Sequence, residues 1–417
     1  MATFRDKVAR FEGTLRGLYG IVMVLVCITS GWAASVSEIL DPEQGLGVLQ
    51  KKVAEPERLF LRGLQAVLDG KIDEAIREFK ELIRLKPDFR LAQLIYGDLL
   101  MAKGGVVREF GQVPAVPRER IEELLHEART RAHALLNVKP DEAYPGALIH
   151  FSRRESHAVL VDLEASRLYL YRNRDGIPEL TFNFYVSTGR NGSEKRTQGD
   201  KRTPIGLYFI TDLVPGKKLP DFYGAGALPI NYPNEWDRRQ GHSGFGIWLH
   251  GSPLDTYSRP PRASEGCVAL TNRDFRTLER NAGIGTPVVI SSGVQWTSQW
   301  QWRVEQERFL KLLEGWFADW QSRDTERILR HYSEQFSNFR LSFRDWRSHL
   351  KETLDKWPGG AFREEEISIF RYPGTDMVVV TFPQEQKGRF QGNRLLRRQY
   401  WRLEGADTWR IVYEDTG

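Results

Sequence analysis

Apolar positions recur at three- and four-residue steps near both ends of the chain and at two-residue steps between them. In LFLRGLQAVLDGKIDEAIREFKELIRLKPDF, Leu64, Val67 and Leu68, then Ala75, Ile76, Phe79, Leu82 and Ile83, mark the inner faces of two helices, with Gly70 between them and Pro87 ending the second. A degenerate copy at 91–105 and another amphipathic helix at 117–136 follow. NVKPDEAYPG, residues 137–146, breaks the pattern with two prolines and a glycine and reads as a linker. The period then becomes two: 157–161, 167–171, 179–187, 207–211 and 246–250 read as strands of a mainly antiparallel β domain. Thr271-Asn272-Arg273-Asp274 caps a short helix through Leu278 that stops near Gly283, ahead of a closing strand at 287–290. From about Glu305 the helical period returns in FLKLLEGWFADWQSRDTERILRHY, with Phe309, Leu312, Leu313, Trp316, Phe317 and Trp320 on one face. A shorter helix at 346–354 and strands at 367–372, 377–382, 393–403 and 409–413 complete the pattern.

The chain is therefore multidomain, and its 417 residues suit two or three domains. The expected units are an N-terminal signal peptide or anchor at 1–33, a small α-helical domain at 34–140, a mainly β domain at 150–293 and an α+β domain at 303–417. Twelve Trp, 14 Tyr and 22 Phe supply real cores and exclude wholesale disorder. The net charge of +5 is spread without a basic block, which makes nucleic acid a poor partner and leaves polyanionic cell-envelope surfaces open. Arg5, Lys7, Arg10 and Arg16 precede an apolar run at 18–28 and then Gly31-Trp32-Ala33, the order of an export signal cleaved after Ala33. An uncleaved inner-membrane anchor is the alternative. A periplasmic location is the expectation.

Cleavage would remove Cys27 and leave one thiol, Cys267, which cannot pair within the chain in an oxidising compartment. It lies in IWLHGSPLDTYSRPPRASEGCVALTN, after the strand that ends at His250-Gly251. A free thiol is mostly protonated at neutral pH, so an imidazole able to take its proton would activate it, and His250 is the candidate. The amides of Gly266 and Cys267 are candidate donors to an oxyanion. The plain alternative is an inert core thiol, because unpaired cysteine is often buried. Arg259 and Arg262 flank the loop and are candidate substrate contacts. Lys195, Arg196, Lys201 and Arg202 form a basic cluster that reads first as a solvated loop, and His242, in a Gly/Ser loop, reads as surface or cleft rim. No Cys, His or Asp group has metal-ligand spacing, and no cofactor is expected.

His250-Gly251, the Ser264-x-Gly266-Cys267 block and Asn272 together resemble the signature of the YkuD-type L,D-transpeptidase catalytic domain. Thr203-Pro204-Ile205-Gly206-Leu207-Tyr208 and Ser187-Thr188-Gly189 extend the resemblance over about 156–291. The helical segment is similar to tetratricopeptide repeats, though one clear pair is fewer than a free-standing solenoid needs, so it should dock on its neighbour. The C-terminal segment resembles the NTF2-like fold, whose conical pocket is either filled by its own aromatics or open to a small ligand or glycan. The whole arrangement is similar to the Csd6-like and YafK-like branches.

The resemblance implies a β-sandwich with a capped cleft in which Cys267 attacks diaminopimelate-containing peptidoglycan stem peptides. His250 would be base and later acid, with the Gly251 carbonyl orienting it. Gly266, Ser264 and Asn272 would belong to the oxyanion loop, and Thr203 and Tyr208 would face substrate. Cys267-Val268-Ala269 departs from the Cys-x-Arg of many cross-linking members. Water then competes with an amine for the acyl-enzyme, and hydrolysis to tripeptide is slightly favoured over transpeptidation. The alternatives are release of a protein from peptidoglycan and a non-catalytic envelope scaffold that binds a protein partner through the helices.

Overall fold

The computed structural model describes residues 54–103, 117–136, 143–254, 256–338, 341–356, 362–385 and 394–416. The expected leader or anchor at 1–33 and the linker residues 137–142 lie outside them. Among the described residues no helix is long and apolar enough to cross a membrane.

Four helices come first: α1 (Glu55–Leu68), α2 (Ile72–Leu85), α3 (Arg90–Lys103) and α4 (Arg118–Leu136). Glu55 and Glu57 sit in the first turn of α1, where the free N–H groups favour negative charge. Gly70 takes φ +71° in the tight turn to α2, a conformation that costs glycine little. The spaced apolar residues do meet: Phe60, Leu64 and Val67 pack with Ala75, Phe79, Leu82, Leu91, Ile95 and Leu99. Tyr257, from the following domain, is part of the same core.

The next elements are β1 (Ala143–Pro145), β2 (Leu148–His150), β3 (His157–Asp162), β4 (Arg167–Arg174), β5 (Ile177–Tyr185), β6 (Thr188–Gly189), β7 (Gly206–Phe209), β8 (Val214–Pro215) and β9 (Gly226–Pro229). They continue through α5 (Glu235–Arg239), β10 (Trp248–His250), β11 (Arg262–Ser264), β12 (Val268–Ala269), α6 (Asn272–Asn281), β13 (Pro287–Ser291) and β14 (Trp296–Ser298). The C-terminal part holds α7 (Gln299–Ser322), α8 (Thr325–Leu329), α9 (Phe343–Lys356), β15 (Ser368–Tyr372), β16 (Met377–Glu385), β17 (Arg394–Glu404) and β18 (Thr408–Thr416).

The central sheet has the order β5-β4-β3-β13-β7, a second sheet β12-β10-β9-β8, and the C-terminal sheet β18-β17-β16-β15-β2. Runs that are apolar at successive positions, such as Ala158 to Val161 and Met377 to Val380, are what a sheet buried on both faces requires. Alternate residues divide accordingly. Val159, Val161, Leu168, Leu170, Val288 and Ile290 face the second sheet and α6, whereas Ala158, Leu160, Tyr169, Tyr171 and Val289 face the C-terminal sheet. There they meet Phe370, Tyr372, Met377, Val379 and Tyr400, while Ile369, Val378, Val380 and Trp401 point the other way, onto α7. The two sheets therefore share one continuous core.

Three local differences from the sequence reading have clear causes. Ala143–Pro145, at the end of the segment read as linker, is a strand paired with β14, and Leu148–His150 supplies the fifth strand of the C-terminal sheet. Three-residue strands are too short for periodicity to reveal. The long C-terminal helix starts earlier than Glu305, because Ser298 and Gln301 form a reciprocal capping box. It also ends earlier. Arg323 adopts φ 56°, and Asp324 caps α8 by accepting from the Glu326 and Arg327 amides, so the stretch is two helices. The interior between α7 and the C-terminal sheet is filled by Trp316, Trp320 and Trp401, leaving a pocket of about 50 Å³ beside Phe317, Phe362 and Phe382. That is room for a few water molecules.

Phe370 is fully buried and meets Phe151 edge to face at 5.7 Å in the shared core. Phe370→Ala should cost about 3–5 kcal/mol. Because the core is common to both sheets, urea unfolding followed by tryptophan emission and by far-ultraviolet dichroism should shift together. Two separated transitions would show that the sheets unfold independently.

Candidate active site

His250 ends β10, and Cys267 immediately precedes β12. The two strands pair in parallel, with Leu249 opposite Val268 and His250 opposite Ala269. Side chains two apart share a face of a sheet, so Trp248, His250, Cys267 and Ala269 all lie on one side. The parallel register, set by the long loop between the strands, brings residues 17 positions apart in sequence into one site.

The His250 ring is buried, and its Nδ1–H donates to the Gly251 carbonyl at 2.6 Å. This fixes the tautomer and leaves Nε2, which is buried and has no hydrogen-bond partner, as the free base. Gly251 has to be glycine, since a Cβ there would lie 2.4 Å from Asn272 Oδ1 and 2.8 Å from the Ala225 amide nitrogen. Asn272 Oδ1 instead accepts from that Ala225 amide at 2.7 Å. Asn272 therefore shapes the turn behind His250 and does not face an oxyanion, a correction to its expected place.

Cys267 is half-buried, and its thiol donates to the Gly246 carbonyl at 3.4 Å. Ser264 Oγ donates to the Cys267 carbonyl at 2.6 Å and accepts from the Gly266 amide at 3.1 Å. The Gly266 amide is thus already used, and of the two expected oxyanion donors the Cys267 amide remains. Gly266 takes φ +122°, and a Cβ there would lie 2.7 Å from the Arg202 carbonyl. Thr203 is buried; it accepts from the Gly189 amide and donates to the Gly266 carbonyl at 3.0 Å. It holds the cysteine loop from behind and does not meet substrate. Tyr208 is buried too, its hydroxyl donating to the Ile205 carbonyl at 3.1 Å, so it belongs to the core and not to the cleft. Both were expected to face substrate, and burial overturns that.

Burial governs the chemistry of the pair. Desolvation pushes the His250 imidazole down to about 4 and the Cys267 thiol up to about 11. The Trp248 amide, Lys195 and Arg259 oppose the shift of the thiol, without cancelling it. Both shifts favour the uncharged forms, a thiol and a neutral imidazole.

Of the surrounding cations, Lys195 is buried and bonded to Asp200 at 2.7 Å, Arg196 pairs with Glu194, and Lys201 with Glu265. His242 pairs with Asp237 at 3.2 Å. Arg262 is exposed, and its charge acts on His126 of α4. Arg259 differs from all of these. Its charge bears on both His250 and Cys267, it lies 6.0 Å from the Phe222 ring, and among the described residues no carboxylate pairs with it. The rings of Phe222 and Tyr223 stand 5.8 and 5.0 Å from His250, and Tyr223 is 4.9 Å from Trp248, forming an aromatic wall that the sequence reading overlooked. Trp248 could have been found, since two-residue alternation puts it on the face of His250. Phe222 and Tyr223 reach the site from a separate loop. Among the described residues no group of three His, Cys, Asp or Glu side chains is placed to hold a metal ion.

Alkylation of Cys267 by iodoacetamide should be slower at pH 7 than that of a free peptide thiol and should rise about tenfold per pH unit toward pH 10, since only the thiolate reacts. A fast plateau at pH 5–7 would instead reveal a thiolate-imidazolium pair. Mass spectrometry of the modified peptide measures this directly.

The L,D-transpeptidase catalytic domain (YkuD) family model matches residues 156–290, and the Cds6 C-terminal NTF2-like domain model matches residues 308–415. Among solved structures, Bd1075 of Bdellovibrio bacteriovorus is 24% identical, with a TM-score of 0.56, covering 66% of this chain and 98% of its own. The helical cell shape determining protein Pgp2 of Campylobacter jejuni is 23% identical, with a TM-score of 0.52, covering 65% of this chain and 95% of its own. These likenesses show a shared fold. No curated protein sequence matches. This chain thus carries a YkuD-type L,D-transpeptidase catalytic domain joined to a Cds6-type C-terminal NTF2-like domain.

Proposed function

We propose that this protein is an exported, periplasmic cysteine enzyme that cleaves diaminopimelate-containing peptidoglycan stem peptides through an acyl-enzyme on Cys267. The observation that carries the reading is the buried, unpartnered His250 Nε2 on the same sheet face as the thiol, with Nδ1 committed to the Gly251 carbonyl. A core cysteine needs no such base.

Substrate entering the cleft displaces the thiol from the Gly246 carbonyl. Sγ then attacks the carbonyl on the L-centre of diaminopimelate as its proton passes to Nε2. The Cys267 amide meets the oxyanion. Collapse breaks the peptide bond, and the leaving amine of the terminal residue takes the proton from Nε2, leaving a thioester. Water attacks the thioester, gives its proton to Nε2, and the thiolate recovers it as the tripeptide leaves. A neutral imidazole is the competent form for both proton abstractions, so its depressed pKa suits the task.

Hydrolysis is favoured over cross-linking by position 269. Ala269 is buried opposite His250, so no guanidinium rises there to clamp a second stem, whereas water needs no clamp.

Cys267→Ala should abolish turnover of disaccharide tetrapeptide while leaving the melting temperature within a few degrees. His250→Ala should lower kcat by about 10²–10⁴-fold. Unchanged processing by Cys267→Ala would sink the enzyme reading. Product masses from the parent should show tripeptide stems in excess of dimers; dimers joined between two diaminopimelates as the main product would reassign the acceptor from water to an amine.

A further inference from the structure

The loop that carries Arg259 is held from both sides. Toward the catalytic domain, Tyr185 donates its hydroxyl to the Arg259 carbonyl at 2.9 Å, Ser187 Oγ donates to the Pro260 carbonyl at 2.6 Å, and the Thr188 amide donates to the Pro261 carbonyl at 2.8 Å. Ser187 also bridges Ala269, so it stands between the loop and the strand that carries position 269. Toward the helical domain, the Tyr257 ring packs 4.8 Å from Phe89, is only 6% exposed and is a member of the helical core. Its neighbour Ser258 donates to Glu127 of α4.

Glu127 in turn belongs to a buried ion cluster. Arg131 of α4 pairs with both Glu127 and Glu57, and its guanidinium stacks on the Tyr185 ring at 3.6 Å. Arg167 of β4 reaches Glu57 at 3.5 Å. Two carboxylates and two guanidiniums are thereby neutralised between α1, α4 and the catalytic sheet, an arrangement that tolerates the loss of no single partner. The loop is thus anchored to a rigid joint between domains. Arg259, whose guanidinium lies 6.0 Å from the Phe222 ring that itself stands 5.8 Å from His250, is set by contacts on residues 257 and 258, immediately before it.

We propose that the helical domain is a working part of the active site: through Tyr257 and the Ser258 to Glu127 hydrogen bond it positions Arg259 to receive the free terminal carboxylate of a stem peptide. Tyr257, Ser258 and Glu127 are positioning residues, and the arginine acts on the carboxylate of the stem being cleaved, not on a second stem. The ligand class follows from the chemistry. A guanidinium with no carboxylate partner among the described residues, beside an aromatic wall and the Cys-His pair, selects a peptide that ends in a carboxylate a short distance beyond the scissile carbonyl. The proposal rests on stem peptides as ligands, but its test does not need turnover.

In the Cys267→Ala background, calorimetry would compare disaccharide tetrapeptide with a free D-alanine carboxylate against the same compound carrying a terminal amide. The acid should bind about tenfold or more tighter, as a charge-assisted hydrogen bond implies. Arg259→Gln should abolish that preference without weakening the amide. Ser258→Ala and Tyr257→Ala should reduce it about three- to five-fold, whereas Tyr257→Phe, which keeps the ring in the helical core, should retain it. Equal binding of acid and amide by the parent would overturn the carboxylate assignment. Full preference in both Ser258→Ala and Tyr257→Ala, with loss only in Arg259→Gln, would overturn the role of the helical domain. Should Tyr257→Ala fail to fold, Ser258→Ala, which removes one hydroxyl, decides alone. A parent that shows the acid preference yet turns over no stem peptide would remove the enzyme reading and leave this one standing.

Discussion

The central sheet is buried on both faces, and the rest of the structure depends on this. One face of β3, β4 and β13 forms the core of the catalytic sandwich; the other merges with the C-terminal sheet through Leu160, Tyr171, Phe370, Tyr372 and Tyr400. A sheet so covered has little freedom to flex, because each side chain that shifts on one face displaces packed neighbours on the other. The C-terminal domain is consequently no tethered module. It takes its fifth strand from the segment ahead of the catalytic domain and covers surface that would otherwise be exposed and apolar.

Rigidity of that kind lets a modest catalytic apparatus be set by backbone carbonyls and side-chain hydroxyls. The Gly251 carbonyl orients His250, the Ser264 hydroxyl ties the Gly266 amide to the Cys267 carbonyl, and Thr203 braces the same turn from the next loop. Each of these groups is a neutral dipole, and together they place the reacting atoms without introducing charge. Desolvation then favours the uncharged forms of both the thiol and the imidazole.

Charge enters the site from elsewhere. The loop basic residues are paired off locally, and Arg259 reaches the cleft from a segment whose anchor, Tyr257, lies in the helical core. The helical domain holds the loop that carries Arg259, strand register aligns His250 with Cys267, and the C-terminal sheet covers the other face of the central sheet.

Much of this was legible in the order of residues. Helices α1 to α4 showed in apolar spacing and in the punctuation of Gly70 and Pro87; the strands showed in short runs rich in Val, Leu and Tyr; and His250 and Cys267 stood out because a cysteine, a histidine and flexible glycines shared one short segment. These signals are local, and local spacing is what a sequence records. What only the tertiary structure decided was relative placement across long separations. Thr203 and Tyr208 looked like cleft residues until burial put them behind it, Asn272 and the Gly266 amide proved committed to other partners, and β2 crossed to a sheet more than 200 residues away in sequence. The sign of the activation was hidden for the same reason. A cysteine near a histidine suggests an ion pair, but whether the pair is charged depends on how much water reaches it, and solvent exclusion is a property of the packed whole and not of any stretch of chain.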